Sequence, residues 1–90
     1  MYFSWDPKKA AANKRKHGVS FAEATTAFQD PLSVTIPDPD HSAREERFLL
    51  VGLSSLGRLL VVAHRELGLE IRIINARSAT RPERVNYEEG

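Results

Sequence analysis

Residues 47–77 read RFLLVGLSSLGRLLVVAHRELGLEIRIINAR. Three runs rich in Leu, Val and Ile, Arg47 to Gly52, Arg58 to Arg65 and Leu69 to Asn75, are separated by Ser54 to Gly57 and by Glu66 to Gly68. Each run has strand length, and such side chains suit a pleated, half-buried surface. Gly68 stands third in a three-residue loop, where a left-handed residue is wanted. The stretch is expected to form an antiparallel meander.

The loop lengths set an expected register. A three-residue loop at 66–68 puts Arg65 opposite Leu69, His64 near Glu70 and Val62 near Arg72. A four-residue loop at 54–57 puts Leu53 opposite Arg58 and Arg47 beside His64. One sheet face then gathers Arg47, His64, Glu70 and Arg72 at one end, with Arg77 just beyond. The other face (Phe48, Leu50, Leu59, Val61, Ala63, Ile71, Ile73) is apolar and is expected to carry the helices. A slip of one residue would move a strand's whole side-chain set to the opposite face.

Outward from this stretch the period changes. Tyr2 to Trp5 alternates as a short strand. Asp6-Pro7 opens a helix, with Asp as N-cap and Pro in the first turn. Gly18 ends it after Lys16 or His17. Ser20-Phe21-Ala22-Glu23 is a capping-box sequence for a second helix that Asp30-Pro31 stops. Val34 to Ile36 is a short strand, and Pro37 to Ala43 an acidic loop. Thr80-Arg81-Pro82-Glu83 opens a last helix running toward Glu88. The predicted class is α+β, in the order β-α-α-β-β-β-β-α, with a central antiparallel sheet and helices mainly on one face.

Ninety residues make one domain with a modest core. With no Cys there is no disulfide framework and no thiolate metal site. No stretch reads as a signal peptide or a membrane span, so the cytoplasm is the expected location. The net charge of +1 hides an asymmetry: +4 over residues 1–18, −5 over 19–46 and +2 over 47–90. All cations of the last segment are Arg, whose planar fork suits bidentate phosphate contacts.

Two arginines, a histidine and a carboxylate on an open sheet face suit RNA cleavage. His64 or Glu70 serves as base for the 2′-hydroxyl. Arg47, Arg72 and Arg77 stabilise the charge that gathers on the phosphate. This scheme needs no metal or other cofactor. The same residues also fit a ladder of exposed cross-strand ion pairs, or a surface that binds nucleic acid or protein without cutting. Lys8, Lys14, Arg58 and Arg65 are the candidate RNA-contacting cations, Arg58 facing solvent after its turn. His17, on the expected inner face of the first helix, should bond a terminal carbonyl. Asn13 is expected to be a buried hydrogen-bonding residue and Trp5 a packing residue. Asp38, Asp40 and His41 read as a solvated acidic loop rather than a metal site.

Several motifs together resemble one family. Trp5-Asp6-Pro7, Lys9-Ala10, Asn13, Lys16-His17-Gly18-Val19 and Phe21 are similar to the opening of the BrnT family. Gly57-Arg58-Leu59-Leu60, Val62 and His64 resemble its middle. Ile71 to Arg77, with Ala79, Glu83-Arg84 and Tyr87, resemble its end. The resemblance implies a RelE-like ribonuclease toxin and carries over His64, Arg72 and Arg77 as site residues. It also implies a BrnA-type ribbon-helix-helix antitoxin that covers the arginine face. Toxin and antitoxin would form a heterotetramer that reaches operator DNA only through the antitoxin. The chain departs from the family at Asn75, Arg65 and Leu67, where members often carry Ser, Thr and Arg.

Overall fold

The computed structural model describes residues 1–40 and 45–90; His41 and the rest of 41–44 lie outside the described residues. The order is β1 (Tyr2–Ser4), α1 (Pro7–His17), α2 (Phe21–Ala27), β2 (Val34–Pro37), β3 (Phe48–Leu53), β4 (Leu59–Leu67), β5 (Glu70–Ser78) and α3 (Arg81–Glu89). This is the predicted sequence of elements. The strands form one sheet in the order β1-β5-β4-β3-β2. It is not purely antiparallel, because β1 pairs parallel to β5 at the edge.

The caps form where polar side chains can reach free backbone N–H groups. Asp6 accepts from Lys8 N at 2.8 Å, and Gly18, at φ +71°, ends α1 with its N–H on the Lys14 carbonyl. Thr80 and Glu83 form the full reciprocal box of α3. At α2 only half of the predicted box exists: Ser20 accepts from Glu23 N, but the Glu23 side chain turns toward Arg58 and Ser54. A charged partner across the fold has outcompeted the local N–H.

The helices divide between the faces, two against one. α1 and α2 cover one face, where Val19, Phe21, Ala24 and Ala27 pack on Leu50, Leu60, Val62, Ile71, Ile73 and Ala76. Trp5 packs edge-on against Phe21, as a packing residue should. α3 lies on the opposite face, where Val34, Ile36, Leu49, Val51 and Val61 form an apolar slot against Tyr87 and Asn86. The Tyr87 hydroxyl donates to Asp30 at 2.5 Å. Among the described residues no helix is long and apolar enough to cross a membrane.

Both predicted registers are corrected. Leu67 pairs with Glu70, so the β4–β5 loop has two residues, Gly68 and Leu69, with Gly68 at φ +64°. Leu53 pairs with Leu59, one residue from the expected partner Arg58. These odd shifts turn β4 over relative to β3 and β5. Leu60, Val62 and His64 therefore face α1 and α2, and Arg65 faces outward. Further along, Ala63 pairs with Asn75 but His64 with Ile73, leaving Ile74 as a bulge. The extra residue lets Ile73 and Ala76 both enter the core.

Gly52 lies where α2 crosses β3. A Cβ there would stand 2.7 Å from the Ala27 carbonyl oxygen and 3.1 Å from Ser33 Cβ. Backbone on an anchored helix cannot yield cheaply, so Gly52→Ala should destabilise the fold by about 1–3 kcal/mol. Chemical denaturation with an unchanged m-value would measure this.

Candidate active site

The outward turn of Arg65 sets three arginines side by side in the sheet register. Arg65 pairs directly with Arg72 across β4 and β5. One step beyond the Phe48–His64 pair, Arg47 comes alongside Arg65. Glu45, on the chain leading into β3, reaches over this row. Its Oε1 accepts from Arg47 Nε at 2.7 Å, and its Oε2 lies 3.7 Å from Arg65 Nε. Among the described residues Arg65 Nε has no hydrogen-bond acceptor, although it is shielded from solvent. The Arg47 hydrogen bond holds the Glu45 carboxyl below its usual range, against some desolvation, and the charges of Arg65 and Lys9 add to it. At the sheet edge Ser4 Oγ donates to Glu70 Oε2 at 2.5 Å and receives Arg72 Nη1 at 3.4 Å. Glu70 thus steadies Ser4, and Ser4 steadies Arg72.

His64 does not join this row. Its side chain is 0% exposed, on the helix-covered face, against Phe28 at 4.8 Å and Phe48 at 5.9 Å between ring centroids. Its ring nitrogens lie 3.2 Å from the Val62 carbonyl and 3.0 Å from Glu66 Oε2. The expected grouping of His64 with Arg47 and Glu70 is therefore replaced by Arg47, Arg65, Arg72 and Glu70. The cause is the reversed face of β4.

Arg58 is corrected as well. It does not point freely to solvent. Its Nε donates to Glu23 Oε2 at 2.9 Å, its Nη2 bonds Glu23 Oε1, and the same Nη2 donates to the Gly18 carbonyl at 3.1 Å. The Glu23 side chain is only 4% exposed, so this contact ties the β3–β4 turn to the α1–α2 junction. Lys14 lies on that side too, reaching the Gly18 carbonyl at 3.4 Å. Lys8 is exposed on α1. His17 is exposed rather than on an inner face.

Arg77 holds α3 in place. Its two terminal nitrogens meet both Glu83 oxygens at 2.8 and 2.9 Å, while Glu83 also caps Thr80 N. The Arg77 guanidinium, opposed by burial and helped by Thr80, brings the Glu83 carboxyl from 4.5 down to about 2. A depressed carboxyl stabilises the fold above its unfolded pKa and loses that contribution as pH falls through the folded one. Stability should therefore fall between pH 4.5 and about 2, and Glu83→Gln should flatten that part of the profile in acid-unfolding curves.

Sequence reasoning missed Glu45 and Ser4. The Glu45-x-Arg47 spacing, which puts two residues on one side of an extended chain, was the available signal. Asn13 is found as expected. It is 6% exposed, donates to the carbonyls of Ala76 at 2.8 Å and Val19 at 3.0 Å, and accepts from Ala76 N at 3.1 Å. Its amide stands beside β5 in place of a neighbouring strand.

The family model described as the ribonuclease toxin BrnT of type II toxin–antitoxin systems matches residues 5–83. The chain belongs to the BrnT family. A solved structure, the Brucella abortus ribonuclease toxin BrnT, is similar with a TM-score of 0.70 over 90% of this chain and 99% of that one. Its sequence identity is 23%, so this likeness establishes the BrnT fold alone. No curated protein matches the chain. The residues matching the BrnT family span Arg47, Arg65, Arg72 and Arg77.

Proposed function

We propose that this BrnT-family chain is an endoribonuclease that cuts RNA without a metal, at the row of Arg47, Arg65 and Arg72. The observation that carries this reading is three arginines side by side in the sheet register, two of them, Arg47 and Arg65, flanking the Glu45 carboxylate. In the reaction Glu45 takes the proton of the 2′-hydroxyl. The 2′-oxygen bonds to phosphorus, and the bond to the 5′-oxygen breaks, giving a 2′,3′-cyclic phosphate. The departing oxygen takes a proton from water. The charge that builds on the phosphoryl oxygens meets preorganised arginines, which lower the barrier most when they need not move. Arg72 is held for this by Ser4 and Glu70. His64 has a packing role in this scheme, behind the reacting face.

The family's place in type II toxin–antitoxin systems supports the rest of the reading. The chain acts in the cytoplasm, and a BrnA-type ribbon-helix-helix antitoxin covers the arginine row. Toxin and antitoxin form a heterotetramer that represses its own operon, contacting DNA through the antitoxin. A carboxylate-bearing or apolar segment that orders on binding would complement the row.

The test is cleavage of a ribosome-free RNA by the purified chain in EDTA, alone and with its antitoxin. Cutting by the chain alone, with 2′,3′-cyclic phosphate ends, is expected. Failure to cut, with RNA binding retained, would assign the face to binding only. An active full complex would overturn the antitoxin placement.

A further inference from the structure

Beyond the end of β1, the edge of β5 runs beside α1, and the two leave an open groove of about 390 Å³. Lys9, Lys16 and His17 line it from the helix, and Asn75 and Arg77 from the strand. The spacing puts 9, 13, 16 and 17 on one helical face. Asn13, in the middle of that face, is bonded to Ala76 on both sides and so sets the distance between helix and strand. The bulge at Ile74 shapes the other wall. Among the described residues no acidic side chain lines the groove. Among the described residues Lys9, Lys16 and His17 carry no hydrogen bond or ion pair, whereas Lys14 and Arg58 are engaged elsewhere.

The groove follows the arginine row along β5, which carries Arg72 in the row and Asn75 and Arg77 in the groove wall. The Lys9 charge is felt at Glu45, which lies between Arg47 and Arg65. Along β5, Asn75 follows Arg72 by about 10 Å at the usual strand rise. A chain carrying regularly spaced negative charges can follow the edge of β5 from Arg72 to the groove at Asn75 and Arg77.

We propose that this groove binds the phosphate backbone of single-stranded RNA next to the cut bond, so that the strand leaves the arginine row over the sheet edge along α1. The inference rests on the arginine row as the cleavage site. Two exposed ammonium groups recognise phosphate as charge, so binding here is largely independent of base identity. The lysines that matter are Lys9 and Lys16, on the strand side of α1, rather than Lys8 and Lys14.

The experiment compares Lys9→Ala/Lys16→Ala with Lys8→Ala/Arg15→Ala, which removes the same charge from the same helix outside the groove. Binding is measured on a 2′-O-methylated RNA that cannot be cut, across a salt series; single-turnover cleavage is measured on the unmodified RNA. Circular dichroism establishes that both variants are folded. The groove variant should bind about tenfold more weakly at 0.1 M salt, with its salt slope reduced by about 1.4, two phosphates' worth for a single strand. Its saturating cleavage rate should stay within about twofold. The control variant should lose less than about threefold in affinity. Equal losses in the two variants would overturn the proposal, since only general charge would be at work. Unchanged affinity in the groove variant would overturn it too, as would a slower saturating rate at unchanged affinity. If Arg72→Ala still cleaves while the groove variant binds weakly, the arginine-row reading fails and the groove stands as a binding site.

Discussion

Replacing Arg65 or Arg72 by Ala should lower the saturating rate of RNA cleavage by about 10²–10³-fold, the usual effect of removing one preorganised donor from a transition-state charge. The fold should barely respond. Arg65 meets Glu45 only at 3.7 Å, and Arg72 meets a hydroxyl at 3.4 Å, and contacts this long on half-exposed side chains are worth about 1 kcal/mol. Arg65→Lys should recover part of the rate, because it keeps the charge but loses the fork. His64→Ala should behave in the opposite way. A fully buried ring between Phe28 and Phe48 leaves a cavity, so stability falls while the reacting face keeps its groups. Arg58→Ala should likewise lower the thermal midpoint, since it strands the Glu23 carboxylate. Stopped-flow cleavage beside thermal unfolding separates these outcomes. Full activity in both Arg65→Ala and Arg72→Ala would remove the row from the chemistry.

Asn13→Ala should cost about 2–4 kcal/mol of stability. The side chain satisfies both polar groups of Ala76 and the carbonyl of Val19, and a buried group left without its partner costs about 1–3 kcal/mol. That is a large part of what a small domain has. The thermal midpoint should drop by at least about 10 °C. Asn13→Asp should not rescue it. An ionised carboxylate still accepts from Ala76 N but faces two carbonyl oxygens without a proton to offer. Calorimetry on the three proteins would decide this, and wild-type stability in Asn13→Asp would show that the two donated bonds contribute little.

Local chemistry made much of this protein legible. Asp6-Pro7, Gly18 and Thr80 to Glu83 mark helix ends, because a cap is a matter of a few neighbouring atoms. The alternation of Glu70, Arg72 against Ile71, Ile73 sorts β5 correctly into an open and a covered side. Such patterns are imposed wherever one face is wet and the other dry. Arg72, Arg47 and Glu70 could therefore be placed on the open face from the sequence.

Strand β4 could not be sorted in this way. Leu59, Leu60, Val61, Val62 and Ala63 are all buried, because α2 covers one side of the central strand and the α3 slot the other. A strand buried on both faces has no alternation to read. Its orientation then rests on loop geometry. At Gly68 a two-residue loop is as compatible with the sequence as a three-residue one. Tertiary packing chose the former. By itself, then, the sequence determined the elements, their order, the caps and the faces of the half-exposed strands. Only the tertiary structure decided that His64 lies in the core and Arg65 in the row, because parity on a doubly buried strand is settled by its neighbours and not by its own residues.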